Sequence, residues 1–142
     1  MRLSGKRTRK RQIQKYRGGK QILNMDGGPL QGCSTNPMTG YFRDGQCSTG
    51  PTDTGTHVVC AIMTDKFLKF SKRMGNDLIT PQLPSFPGLK AGDRWCLCAY
   101  RWRQAQKAGA APPIIAEATN QAVFPIVNRN ILSKYRTRKS RS

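Results

Sequence analysis

The seven residues His57 to Met63 (HVVCAIM) are apolar and β-branched almost throughout, which predicts a buried strand. Thr64 follows as a helix N-cap, with Asp65 favourable in the first turn. Phe67, Phe70, Ser71 and Met74 then share one helical face, Lys66, Lys69 and Arg73 lie elsewhere, and Gly75 ends the run. Pro81, Pro84 and Pro87 make residues 76–90 an irregular crossing. The spacing of Trp95, Cys98, Ala99, Trp102 and Ala105 predicts a second helix, capped at Gly92-Asp93 and closed by Gly109. Pro112-Pro113 opens an expected strand over Ile114–Ala118. A second, Ala122–Val127, is placed at a sheet edge by Pro125, and a helical turn or two is expected over Arg129–Tyr135.

Upstream of the first strand the pattern changes. Residues 24–56 are rich in Gly, Pro, Asn, Asp, Ser and Thr, with turn signals at Asp26-Gly27-Gly28-Pro29, Asn36-Pro37, Asp44-Gly45 and Gly50-Pro51. This reads as a long ordered loop region with a short strand at Tyr41-Phe42-Arg43. The expected fold is α+β: a small antiparallel sheet of about three strands, two main helices and a long turn-rich N-terminal segment.

Charge alters this picture at the two ends. Residues 1–20 carry nine bases and residues 129–142 six, with no acid in either, so these segments hold fifteen of the eighteen net positive charges. They have few apolar residues to offset ordering entropy, so basic tails at 1–20 and 129–142, disordered until bound, flank one globular domain at 21–128. Self-repulsion of that size works against compactness, which points to an acidic partner. Nucleic acid is the commonest, and each neutralised phosphate releases counterions. The residues assigned to phosphate contacts are Arg7, Arg9, Lys10, Arg11, Lys15, Arg17, Lys20, Lys134, Arg136, Arg138, Lys139 and Arg141. Tyr16 and Tyr135 are the stacking candidates. Apolar runs fall well short of the ~20 residues that span a bilayer, so no membrane role is expected. The N-terminal segment has neither the apolar stretch of a secretory signal nor a clear amphipathic presequence pattern.

The middle of the chain resembles an uncharacterised bacterial family, domain of unknown function 2237. The matching strings include Asn36 to Gly45 (NPMTGYFRDG), Cys47, Thr49-Gly50-Pro51, Asp53-Thr54-Gly55 and His57 to Ala61 (HVVCA). Further along come Phe67 to Ser71, Gly75 to Leu78, Phe86 to Leu89, Gly92 to Ala99 (GDRWCLCA), Ala111-Pro112-Pro113 and Glu117-Ala118-Thr119. The resemblance spans about residues 28–128 and implies a fold, with almost no chemistry. Where the family continues Ala-Thr with His, this chain has Asn120. Family acids are replaced by basic or neutral residues at Lys66, Lys69, Arg103 and Lys107. The tails, with Arg9-Lys10-Arg11 and Tyr16 to Lys20 (YRGGK), are similar to those on proteins of giant DNA viruses. Organellar ribosomal proteins also carry basic extensions on bacterial-type domains.

Five cysteines, at 33, 47, 60, 96 and 98, lack regular spacing, and the expectation is buried free thiols in a reducing, intracellular compartment. Cys47, His57 and Cys60 are the metal-ligating alternative, although paired CxxC spacing is missing and no cofactor is expected. A nucleophilic pair of Cys60 or Cys47 with His57, oriented by Asp44 or Asp53, is the catalytic alternative. Asp53-Thr54-Gly55 reads as a turn, because aspartic-protease chemistry needs two such carboxylates. The reading favoured by the charge pattern is a non-enzymatic accessory or structural protein of a nucleoprotein particle, a virion component or an organellar ribosomal protein. Its tails bind phosphate backbones and its core docks to protein neighbours. The alternative is a small enzyme or metal-binding module inherited from the bacterial family.

Overall fold

The computed structural model describes residues 16–17 and 20–137. Two short strands, β1 (Tyr16–Arg17) and β2 (Lys20–Gln21), pair antiparallel. The central ladder is β3 (His57–Ile62) against β4 (Arg94–Cys98), also antiparallel. Helices α1 (Asp65–Arg73) and α2 (Ala99–Lys107) follow β3 and β4 respectively, and a short α3 (Arg129–Ser133) comes near the end. The molecule is therefore α+β, as its apolar pattern predicts.

The first helix forms for the expected reasons. Thr64 Oγ1 accepts the Phe67 amide at 3.1 Å, Asp65 sits in the first turn, and Gly75 follows the helix with φ +96°. Phe67, Leu68, Phe70 and Ser71 are its buried residues, while Met74, expected on that face, is exposed. α1 and α2 pack with β3 and β4 around fully buried Trp102, whose Nε1 donates to Pro112 O at 3.1 Å.

Several expectations are corrected. Residues 94–98 are a strand and not the first turns of a helix: cross-strand pairing with β3 buries Trp95, Cys96 and Leu97 together. Asp93 caps no helix; its carboxylate accepts the Lys90 amide at 2.9 Å in the preceding turn. The strands expected at 114–118 and 122–127 are 3₁₀ turns, Ala116–Ala118 and Gln121–Val123, with Ile114 making only isolated bridges to Ala61 and Arg136. There Thr119 Oγ1 donates to Ile115 O and Asn120 Oδ1 accepts the Ala122 amide, so local side-chain bonds compete with a ladder. Tyr41-Phe42-Arg43 is a turn, with Arg43 at φ +53° and its amide on Gly40 O.

The C-terminal boundary also moves. Residues 129–137 belong to the fold: Leu132 is fully buried and Tyr135 packs edge-on against Trp102 at 4.9 Å. The Thr137 amide donates to Ile114 O at 3.0 Å. The disorder expected of 1–15, 18–19 and 138–142 lies outside the described residues. No described helix is long and apolar enough to cross a membrane.

Candidate functional site

Four of the five cysteines are not free thiols. Cys33 is bonded to Cys60 and Cys47 to Cys96, so both bridges tie the turn-rich segment to the central ladder. This corrects the expectation of buried free thiols; such bridges are rare in reducing compartments. In the bridged chain this also leaves Cys47, His57 and Cys60 unavailable as a ligand set. Both sulfurs are already bonded, and His57 turns to a different partner. Cys98 alone stays free, half-buried at the end of β4.

The ladder places that thiol. From Ile62↔Arg94 to Val59↔Leu97 the register is regular, and its continuation would set Val58 opposite Cys98. An irregularity between His57 and Val59 instead sets His57 opposite Cys98. Bulges of this kind re-aim one side chain at the cost of one ladder position. The preceding residue, Thr56, is held at φ +53°, an uncommon conformation for a β-branched residue. Its carbonyl accepts both the Val58 and Ala99 amides at 2.9 Å, which fixes the turn into β3 to the start of α2.

His57 is held by Asp53. Asp53 Oδ1 lies 2.6 Å from His57 Nδ1, and Oδ2 accepts the His57 amide at 2.9 Å and the Thr49 hydroxyl at 3.0 Å. The Asp53 side chain is fully buried and the imidazole 38 % exposed. Burial pushes the carboxyl pKa up, but the hydrogen bonds from the His57 amide, the His57 ring and Thr49 outweigh it and hold the group below its ordinary value. A carboxylate on Nδ1 fixes the proton there and leaves Nε2 as the acceptor. Asp53-Thr54-Gly55 is thus a turn, as the sequence indicates, whose carboxylate orients an imidazole.

Gly55 marks how close the groups lie. A Cβ at this position would sit 2.9 Å from His57 Cε1, 3.4 Å from Nε2 and 3.3 Å from Cys98 Sγ. Imidazole and thiol therefore flank one point that only glycine leaves open. Both also line a cavity of about 580 Å³, together with Tyr41, Arg43, Asp77 and Trp95. Tyr41 stacks on the imidazole at 6.0 Å and 20°, and its hydroxyl bonds to Thr52. The Arg43 guanidinium donates to Gly40 O at 2.8 Å and lies 5.1 Å over the Trp95 ring. Asp77 is occupied by its own turn, accepting the Ile79 and Thr80 amides, and hydrogen bonding from Thr80 first and Ile79 next lowers its pKa.

Sequence reasoning finds His57 and Asp53 and pairs them with the wrong thiols. Helical spacing places Cys98 on a helix, and only the ladder register reveals its neighbour. Asp44 orients nothing in the cavity; its Oδ1 accepts the Gln46 amide at 3.0 Å. Asn120 is buried, its Nδ2 on Cys47 O and its Oδ1 on the Ala122 amide, and it is not among the cavity-lining residues. The absence of an imidazole there leaves the cavity lining unchanged.

The basic residues assigned to nucleic acid divide differently. Arg7, Arg9, Lys10, Arg11, Lys15, Arg138, Lys139 and Arg141 lie outside the described residues, and Arg17 and Lys20 sit on the β1–β2 hairpin. Lys134 is exposed just after α3. Arg136 is engaged by Asp26 in a paired contact of 2.9 and 3.0 Å, which lowers the Asp26 pKa and raises that of Arg136. Tyr135 is a packing residue and not a free stacking platform.

Fold and site together define a small bridged α+β domain with a thiol, an imidazole and a buried carboxylate at one cleft. The chain belongs to the DUF2237 family, described as uncharacterized protein conserved in bacteria, which matches residues 23–136. None of the curated proteins compared with it matches.

Proposed function

We propose that the folded core is a thiol-dependent enzyme acting on a small acyl-bearing molecule, with Cys98 as nucleophile, His57 as general base and Asp53 as the orienting carboxylate. The observation that carries this reading is the bulged register that sets His57, already anchored by a buried Asp53, opposite the one free thiol at a cavity wall. In the reaction Cys98 gives its proton to His57 Nε2 and its electron pair to the carbonyl carbon. The bond to the leaving group breaks, and that group takes the proton from His57. Water, deprotonated by the same nitrogen, then cleaves the thioester and restores the thiol. Tyr41 and Trp95 offer flat apolar walls, and Arg43 favours a substrate with negative charge.

Treatment with an activated aryl acyl ester tests this. Mass spectrometry should find one acyl group on Cys98, absent in Cys98→Ser and formed about 100-fold more slowly in His57→Ala. Acylation spread over surface lysines, with Cys98 unmodified, would contradict the assignment.

The charge distribution favours a second, compatible reading. The basic segments hold this core to the phosphate backbone of a nucleoprotein particle, with a virion or an organellar ribosome as the setting. In that form the protein is an accessory component, and its cleft serves the particle or lies idle within it.

A further inference from the structure

We propose that the four bridged cysteines form a zinc site when their disulfides are reduced. Cys33, Cys47 and Cys96 belong to two different bridges, yet their sulfurs all lie within 4.8 Å of one another. Cys60 stands outside that mutually close group, but it is bonded to Cys33 and is the cross-strand partner of Cys96 in the central ladder, and it supplies the fourth sulfur once its bridge opens. Two sulfurs thus come from adjacent strand positions and two from the loop segment folded over them. Tetrahedral zinc–thiolate bonds of about 2.3 Å put sulfurs about 3.8 Å apart, a small adjustment for Cys33, Cys47 and Cys96, with the Cys60 sulfur moving in from outside that group.

The backbone is prepared to keep these positions without the bridges. The Cys33 amide donates to Gly45 O at 2.7 Å, and the Cys47 carbonyl accepts Asn120 Nδ2 at 3.1 Å. The amides of Cys60 and Cys96 donate to the buried hydroxyls of Thr119 and Thr39 at 3.1 and 2.9 Å. None of these bonds depends on a sulfur–sulfur link. All four cysteines are buried in an apolar cluster with Ala118 and Ile115, where four uncompensated thiolates would be costly and one divalent cation would offset them.

The step balances with a dithiol reductant. Each bridge takes two electrons and two protons from one dithiol, which leaves as a disulfide, and coordination of Zn²⁺ by four thiolates then releases four protons. Cys98 takes no part, although Cys96 of the cluster also lines the cleft.

The experiment reduces the full chain with a dithiol, removes the reductant without oxygen, and titrates Co²⁺ as a spectroscopic stand-in. One cobalt per chain with intense tetrahedral thiolate bands, displaced by zinc, is expected. The oxidised chain should take up none, Cys98→Ser should match the parent, and Cys33→Ser and Cys47→Ser should lose the four-sulfur spectrum. Absence of stoichiometric uptake by the reduced chain, whether folded or unfolded, would overturn the proposal. So would uptake that requires Cys98 or His57. Because Cys98→Ser removes the proposed nucleophile and spares the cluster, failure of one assignment leaves the other standing.

Discussion

Asp53 is the residue on which the cleft turns, because one buried carboxylate ties a hydroxyl, a backbone amide and an imidazole into the turn before β3. Its effect on stability has a definite sign. Its folded pKa lies below the ordinary 3.8, so its contribution is fully present above the unfolded value and is lost as pH falls through the folded one. Thermal unfolding should show a plateau above about pH 5 and a decline below about pH 4. Asp53→Asn should lower the plateau and flatten the decline. An acid limb of the same steepness in the variant would show that other carboxylates govern it. Asp26 contributes in the same direction, but its pair with Arg136 is 43 % and 35 % exposed on the two sides and is screened by water.

Among the elements, the strand β3 and the helix α1 are legible in the sequence because their patterns are simple: a continuous apolar run, then a capped amphipathic stretch. β4 is not. Trp95, Cys98, Ala99 and Trp102 match helical spacing, yet Arg94–Cys98 pairs with β3 and the helix begins only at Ala99. A short apolar run read alone does not separate these outcomes, and the choice is made by the partner strand. The site inherits that difficulty. Asp53 and His57 are near in sequence, but Cys98 meets them only through a register irregularity that no local pattern encodes. The bridges are hidden in the same way, since they join cysteines 27 and 49 residues apart. For α3 the expected helical turns are present, but its basic residues hide that the element is packed into the fold. Leu132→Ala should cost about 2–5 kcal/mol because its side chain is fully buried. A destabilisation under about 0.5 kcal/mol in chemical denaturation, the range of surface substitutions, would return 129–137 to the tail.

At the scale of the molecule, a bridged core of small net charge is joined to strongly basic ends, and the proposed retention on nucleic acid rests on those ends. Replacing Arg7, Arg9, Lys10 and Arg11 by Gln in the full chain should reduce duplex affinity. It should also lower the slope of log affinity against log salt by about 0.9 for each phosphate no longer neutralised. The acylation of Cys98 should be unchanged in that variant. An unaltered salt slope would place nucleic-acid binding elsewhere or nowhere. If Cys98 is the base-assisted nucleophile proposed above, its alkylation rate by iodoacetamide at pH 7 shows this most directly. The bridged parent chain should react about ten times faster at Cys98 than His57→Ala does, with Asp53→Asn between them. Equal rates in all three proteins would contradict it.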